Sequence, residues 1–266
     1  MRVPLTPAHH AQDLLNKLNI VELPIPIYQI CDYLNIKCVE TQEIDAEALI
    51  VKKHDKHDKP IIFVKANVGY DSRTKFSIAH ELGHYILPSH LDNIYACTIE
   101  DLNSFTTSKT TEDEANTFAA ELLMPSPWIL NRIKREDVTL PVIKNIASEC
   151  DTSLTATAIQ VTNLCTDSIA IIFSVDGVIR WFSKSDSFRY YINLGSLHIA
   201  SFAYKIFFSG ELSEIPIKVP TQVWVDTYQT DQYFIEESLS MPKLNAVLTL
   251  LRCYIDEDDD ENYDEY

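Results

Sequence analysis

The pentapeptide HELGH at residues 80–84 indicates both the chemistry of this protein and the fold that surrounds the motif. The surrounding apolar spacing predicts a helix over about 72–87. Residues four apart share one face of a helix, so His80 and His84 can present two imidazoles to a single cation. Glu81 lies about 100° round the helix from His80, beside the cation rather than on it. There its carboxylate can take a proton from water, which is the arrangement of a metal-dependent hydrolase.

A cation held by two imidazoles needs further ligands, and Glu112 is the predicted third one. It opens the segment EDEANTFAAELLMP at 112–125, which predicts a helix ending at Pro125. A helix N-terminus favours a carboxylate. Asn116, one turn further on, can hydrogen-bond a ligand imidazole. Zn²⁺ suits such a set, and three protein ligands plus water are typical of a catalytic rather than a structural zinc site.

Two alternatives for the third ligand stay open at this point. His90 follows His84 by six residues, the spacing of an extended zinc motif, although Leu87 stands where that motif has glycine. Glu114 lies in the same predicted helix as Glu112. Each candidate can also have a role without a metal. His90 can be a solvated loop residue, and the acidic residues can be helix-capping charges.

The remaining patterns predict an α+β fold in at least two parts. A capped helix from Thr6-Pro7 and a helix over about 26–34, stopped at Asn35, lead into three strands at 36–40, 46–52 and 60–65. Two short helices over 140–165 break at 151–153, where Ser153 caps the second. After residue 168 the pattern changes to strands and one helix, with predicted elements as follows: a hairpin at Asp176-Gly177, a helix over 196–208, and strands at 215–225, 232–238 and 246–255.

Domain boundaries follow from these elements. We predict a mostly helical first domain with a small sheet over 1–165, a C-terminal α+β domain over 168–255, and a disordered acidic tail over 256–266. The polar segment over 91–111 is too long to be only a connecting loop. We expect it to line a functional site.

Composition excludes several classes of function. The formal charge is −17, and eight acids fall in the tail, so a phosphate-tracking surface and a direct nucleic-acid partner are not expected. The five glycines are scattered, which excludes glycine-rich nucleotide loops. No signal peptide, disulfide framework or membrane span is apparent, so we expect a cytoplasmic protein.

The two motifs together resemble the ImmA/IrrE family of bacterial and phage metallopeptidases. RTKFSIAHELGHYIL and EDEANTFAAELLMP carry the resemblance, and AQDLLNKLNI, PIYQICDYLNIKCVE and IIFVKANV extend it over about residues 8–165. The resemblance implies a zincin-like domain with His80, His84 and Glu112 on zinc and Glu81 as the base. It also implies a substrate class, helix-turn-helix transcriptional repressors. By the same resemblance, 140–165 is a helix-turn-helix-like unit and 168–255 a GAF-like sensor domain.

Functional alternatives accompany this interpretation. The chain could be a zinc-containing protein that sequesters a repressor without cutting it, although Glu81 is then not needed. It could instead bind DNA through 140–165, but the second helix, LTATAIQVTNL, contains no Lys or Arg for base readout. For hydrolysis, the strand at 60–65 is a candidate to bind the substrate backbone as an added strand.

The sequence also contains candidates for an oxyanion donor, a second metal site and a docking segment. The oxyanion donor is expected among four side chains, which are Tyr70, Tyr85, His90 and Arg73. His54 and His57 are interpreted as a solvated hairpin turn rather than a metal site. The acidic tail is interpreted as a solubilising segment, with attraction of a basic repressor as its alternative function.

Overall fold

The structure, a computed structural model, describes residues 5–51, 59–66, 72–88, 90, 94–97, 111–210, 215–227 and 232–253. The chain divides into two compact units. The first comprises Met1–Ile129 with Asn145–Ala156, and the second comprises Leu130–Lys144 with Thr157–Tyr266. The predicted α+β class is confirmed. The domain boundary near 165–167 stays a prediction, and the acidic tail lies outside the described residues.

Eight α-helices and nine strands make up the described part of the chain. The helices are α1 (Pro7–Leu18), α2 (Ile27–Tyr33), α3 (Ser72–Ile86), α4 (Thr111–Leu123), α5 (Ser126–Ile133), α6 (Leu140–Cys150), α7 (Leu154–Leu164) and α8 (Phe202–Ser209). The strands are β1 (Lys37–Thr41), β2 (Ala48–Val51), β3 (Ile61–Lys65), β4 (Ile94–Cys97), β5 (Ile169–Val175), β6 (Val178–Lys184), β7 (Ile217–Pro220), β8 (Tyr233–Met241) and β9 (Ala246–Cys253).

Capping residues explain where several helices begin and end. The Thr6 hydroxyl accepts the His9 N–H at 3.3 Å, which starts α1 as predicted. Asn35 takes the left-handed conformation, with φ 59°, after α2. The Ser153 hydroxyl accepts the Ala156 N–H at 3.2 Å and caps α7, also as predicted.

The first unit contains a four-stranded sheet in the order β1-β3-β2-β4. β3 pairs with β1 in parallel and with β2 in antiparallel orientation. The hypothesis that the strand at 60–65 binds a substrate backbone is therefore wrong, because both of its edges are already paired. β4 was not predicted: it forms at Ile94–Cys97, inside the segment expected to be a polar loop, by pairing with β2. The rest of that segment up to residue 110 lies outside the described residues.

The second unit contains a five-stranded antiparallel sheet in the order β6-β5-β9-β8-β7. The hairpin between β5 and β6 turns at Asp176 and Gly177, with φ 53° and 72°, as the sequence predicted. Helix α8 begins later than predicted, because Ser201 rather than Ser196 caps it, accepting the Tyr204 N–H at 3.1 Å. The strand predicted over 215–225 ends at Pro220, where a 3-10 turn begins.

A buried carboxylate, Glu236 on β8, ties this unit together. Its side chain is fully buried. It accepts hydrogen bonds from Ala203 N–H at 2.8 Å, Trp224 Nε1 at 3.0 Å and the Ser238 hydroxyl at 3.1 Å. Burial raises the pKa of this carboxyl, and the hydrogen bonds oppose that rise only in part. Glu236 thus joins the start of α8, the Trp224 ring and the sheet.

Replacing Glu236 with alanine is expected to lower the free energy of unfolding by about 2–4 kcal/mol, because it leaves several buried donors without their acceptor. Urea denaturation followed by circular dichroism measures this. Asp186, an exposed acid in the same unit, provides the control: Asp186→Ala should change stability by no more than about 0.5 kcal/mol. Equal stability of the two variants would contradict the role given to Glu236.

Candidate metal centre

Helix α3 places three chemically competent side chains in the interior of the first unit. His80, Glu81 and His84 are each 0% exposed. Polar side chains that are capable of carrying charge are rarely buried to this extent unless they have partners or bind a metal. Their burial therefore calls for a functional explanation, which the neighbouring helix α4 supplies.

Gly83 allows α3 and α4 to approach each other closely. A Cβ atom added at this position would lie 3.1 Å from the Cα atom of Ala115 and 3.3 Å from its carbonyl oxygen, both on α4. Those contacts are tighter than ordinary van der Waals packing, and the atoms involved belong to backbone that cannot move independently. Glycine at the fourth position of HELGH thus brings the helix bearing Glu112 next to the two histidines.

A Gly83→Ala variant should be destabilised by about 1–2 kcal/mol, since overpacking costs more than the improved helix propensity of alanine returns. Urea unfolding of the metal-free protein measures the change. Thr117→Ala, which adds an alanine at an exposed position of α4, serves as control. An unchanged or higher stability of Gly83→Ala would show that the two helices are not in close contact there.

Three potential ligand atoms converge between α3 and α4. His80 Nε2 lies 3.0 Å from His84 Nε2, and Glu112 Oε2 lies 3.1 Å and 3.4 Å from these two nitrogens. In a tetrahedral zinc site with ligand bonds of about 2.0–2.2 Å, ligand atoms are about 3.3–3.6 Å apart. Two imidazole nitrogens and a carboxylate oxygen at this spacing fit a metal ion. Within the described part of the chain, this is the group of His, Cys and acidic side chains close enough to hold one.

The electrostatics of the group favour the protonation states that a metal requires. Burial lowers the pKa of His84, which keeps its imidazole neutral. Burial by itself would raise the pKa of the Glu112 carboxyl, but hydrogen bonds from His80 and His84 outweigh it and the net shift is strongly downward. A neutral imidazole and an ionised carboxylate are the forms that bind metal.

The other face of each imidazole also has a partner. Asn116 Oδ1 lies 2.8 Å from His80 Nδ1, so the predicted hydrogen bond between Asn116 and a site imidazole is confirmed. His90 Nδ1 lies 2.8 Å from His84 Nδ1, and Glu114 Oε2 lies 3.1 Å from His90 Nε2. The two alternative third ligands, His90 and Glu114, are thus placed behind His84 rather than among the converging atoms. The sequence indicated each of these residues separately as a third ligand. It did not indicate that His90 and Glu114 contact each other.

Glu81 is held by the sheet. Its Oε2 accepts the backbone N–H of Ile50, on β2, at 2.9 Å. This buried hydrogen bond from the β2 backbone holds the carboxylate in a fixed orientation. The sequence could not have revealed this contact, because a backbone donor 31 positions away leaves no signature in residue identity.

The remaining sequence candidates are only partly placed. Arg73 Nε lies 3.2 Å from Glu47 Oε2, an ion pair, and its role as oxyanion donor stays a prediction. Tyr85 is half-buried on α3 and stays a prediction as an oxyanion donor. Tyr70, His54 and His57 lie outside the described residues. In the described segments, no helix has both the length and the apolar content needed to cross a membrane.

Comparison with a family model matches residues 31–161 to the IrrE N-terminal-like domain. Two curated relatives also match. Immunity region protein 2 of Bacillus phage phi105, which is uncharacterized, is 33% identical over 42% of this chain and 66% of its own length. Metallopeptidase ImmA of Bacillus subtilis (strain 168) is 30% identical over 46% of this chain and 64% of its own length. The chain thus spans slightly under two thirds of both relatives.

A solved structure shares the fold over most of the chain. A Mycobacterium tuberculosis transcriptional regulator superposes with a TM-score of 0.56, covering 93% of this chain and 75% of its own, at 11% identity. At that identity the likeness concerns the fold alone. It extends past residue 161, where the family-model match ends.

Proposed function

Because this chain belongs to the ImmA/IrrE family through its IrrE N-terminal-like domain, and so is metallopeptidase-like, we propose that it is a zinc-dependent endopeptidase acting on a protein substrate. The observation that carries the proposal is the convergence of His80 Nε2, His84 Nε2 and Glu112 Oε2, together with a buried Glu81 carboxylate that the Ile50 N–H holds. A structural zinc site has no need of that carboxylate.

His80, His84 and Glu112 would hold the zinc ion. When bound there, zinc supplies Lewis acidity toward the scissile carbonyl and the attacking water. The chemistry of the three ligands and the low pKa values of His84 and Glu112 support this assignment. Three protein ligands leave a coordination position for water or substrate, as in catalytic zinc sites.

Glu81 moves the proton. With Oε2 held by the Ile50 N–H, we assign proton transfer to Oε1. The Glu81 carboxylate takes a proton from the water molecule. At the same time the oxygen of that water attacks the carbonyl carbon of the substrate. Glu81 then delivers that proton to the amide nitrogen as the C–N bond breaks, so that a carboxylate and an amine leave. The buried setting of Glu81 strengthens each of these interactions relative to water.

The proposed substrate is a helix-turn-helix transcriptional repressor, whose cleavage relieves repression of mobile-element or stress genes. The name of the phage relative, an immunity region protein, supports a role in phage immunity control. The net charge of −17 favours a basic protein partner over nucleic acid. Cytoplasmic localisation belongs to the same proposal, since repressors act there.

The domain assignment is also part of the proposal. We assign peptidase activity to residues 1–165, with 140–165 as a helix-turn-helix-like pair that serves packing. Residues 168–255 are assigned a sensory role, for which a five-stranded sheet with one helix provides the frame.

The test uses the full-length zinc-loaded protein and purified helix-turn-helix repressors from the genome that encodes it. Intact mass spectrometry should show one repressor converted to two fragments whose masses sum to the parent plus one water. A stable complex with an uncut repressor, seen by size-exclusion chromatography, would instead establish the alternative of sequestration. Neither cleavage nor binding across the full set of repressors would reject the substrate class.

A further inference from the structure

His84 has a two-membered support on the face opposite the converging ligand atoms. His90 Nδ1 lies 2.8 Å from His84 Nδ1, and the two rings have centroids 4.8 Å apart. Glu114 Oε2 lies 3.1 Å from His90 Nε2. The His90 side chain is fully buried, whereas the Glu114 side chain is 38% exposed. The order of contacts is therefore Glu114, His90, His84 and then the proposed metal position.

The backbone fixes His90 in this place. The Leu87 N–H donates to the Gly83 carbonyl at 2.9 Å, and the His90 N–H donates to the Leu87 carbonyl at 3.1 Å. The chain thus turns back on itself directly after α3. This turn explains how a histidine only six residues after His84 contacts the rear of its ring instead of the ligand face.

Proton positions follow from the chemistry, on the premise of the proposed function that His84 offers Nε2 to a metal. A neutral imidazole with its Nε2 lone pair committed carries its proton on Nδ1. His84 Nδ1–H then donates to His90 Nδ1, so the proton of His90 is on Nε2. That N–H donates to the Glu114 carboxylate, a charge-assisted hydrogen bond. All three groups are satisfied by one consistent assignment.

The two imidazoles of the site are supported differently. On the same premise, with Nε2 offered to a metal, His80 Nδ1–H donates to the neutral amide oxygen of Asn116. His84 donates to an imidazole that is itself polarised by a carboxylate. Helix α4 provides Glu112, Glu114 and Asn116 within two turns, so one helix contacts all three histidines. Partners of this kind orient a ligand ring, fix its tautomer and raise its basicity.

We propose that His90, backed by Glu114, is a positioning residue that holds the His84 ring for metal binding. His90 is not itself a ligand, because both of its ring nitrogens face groups other than the converging atoms. Its removal leaves His84 free to rotate or to change tautomer, which weakens metal binding without removing a ligand.

The test measures zinc affinity of the full chain by competition with a chromophoric chelator. His90→Ala should bind zinc about 10–100-fold more weakly than wild type, and Glu114→Gln should show a smaller loss in the same direction. His90→Gln should recover part of the affinity, because its amide oxygen can accept the His84 Nδ1–H. Asp113→Asn changes a residue on the same turn of α4 that is not among the Glu114, His90 and His84 contacts. It should bind zinc as tightly as wild type does.

A spectroscopic readout separates positioning from general destabilisation. The visible absorption of the Co²⁺-loaded protein should shift in His90→Ala and return toward wild type in His90→Gln, whereas Asp113→Asn should leave it unchanged. Circular dichroism of the metal-free variants checks folding, and Glu114→Gln keeps the test valid if His90→Ala does not fold.

The outcomes are distinct. Wild-type zinc affinity and cobalt spectrum in both His90→Ala and Glu114→Gln would overturn the proposal and leave the proposed function intact. Complete loss of zinc from a folded His90→Ala, with no recovery in His90→Gln, would also overturn it, since His90 would then be a ligand. A wild-type protein that binds neither metal would reject the proposed function, and the positioning role with it.

Discussion

The Glu81→Gln variant is expected to lose at least about 100-fold of its peptidase rate while keeping its metal content unchanged. Glutamine has nearly the same shape and can still accept the Ile50 N–H through its amide oxygen, but it cannot take a proton from water. Cleavage of the proposed repressor substrate, followed by intact mass spectrometry over time, measures the rate. Elemental mass spectrometry on the same sample measures the metal.

Glu40→Gln provides the matched control, since Glu40 is an exposed carboxylate on β1. It should cleave at the wild-type rate. Unimpaired cleavage by Glu81→Gln would contradict the assignment of this residue as the base. Loss of metal from Glu81→Gln would indicate that Glu81 belongs to the ligand set instead.

The Glu112→Ala variant is expected to bind zinc more than about 100-fold less tightly, which exceeds the loss expected for an outer partner such as His90. The physical reason is that its carboxylate supplies one of three converging atoms and the negative charge among those three ligands. Competition titration with the same chelator measures the dissociation constant. A Glu112→Gln variant keeps the shape and removes the charge, so it should fall between alanine and wild type.

A smaller effect from Glu112→Ala than from Glu114→Ala would contradict this ligand set. In that event Glu114 rather than Glu112 would be the third ligand, as one of the alternatives from sequence allowed. Retention of full affinity in both variants would show that neither carboxylate is a ligand.

Much of the first unit could be predicted because its signals are local. The α3 helix, the Thr6 and Ser153 caps, and the left-handed Asn35 each depend on residues within one or two turns. The pairing of His80 with His84 follows from helical periodicity alone. Such features can be predicted without knowing the tertiary contacts.

The features that were missed depend on tertiary contacts. β4 forms by pairing with β2, and its four residues, IYAC, are too short a run to indicate a strand by themselves. β3 was assigned a free edge because sequence does not reveal the order of strands in a sheet. The start of α8 was misplaced since both Ser196 and Ser201 are acceptable caps, and packing of Phe202 in the core selects the second.

The candidate site shows the same division. Its ligand types and their spacing were readable from two motifs, whereas the choice among Glu112, Glu114 and His90 needed the helix crossing at Gly83. That crossing sets which carboxylate faces the Nε2 atoms and which one faces the rear of the histidines.

The central claim is that His80, His84 and Glu112 bind one metal ion. Its most direct test is an anomalous difference map from a crystal of the zinc-loaded protein, collected on both sides of the zinc absorption edge. The account predicts a single strong peak per chain, within bonding distance of His80 Nε2, His84 Nε2 and Glu112 Oε2, that vanishes below the edge. A peak between His90 and Glu114, or none at these histidines in a zinc-saturated crystal, would contradict it.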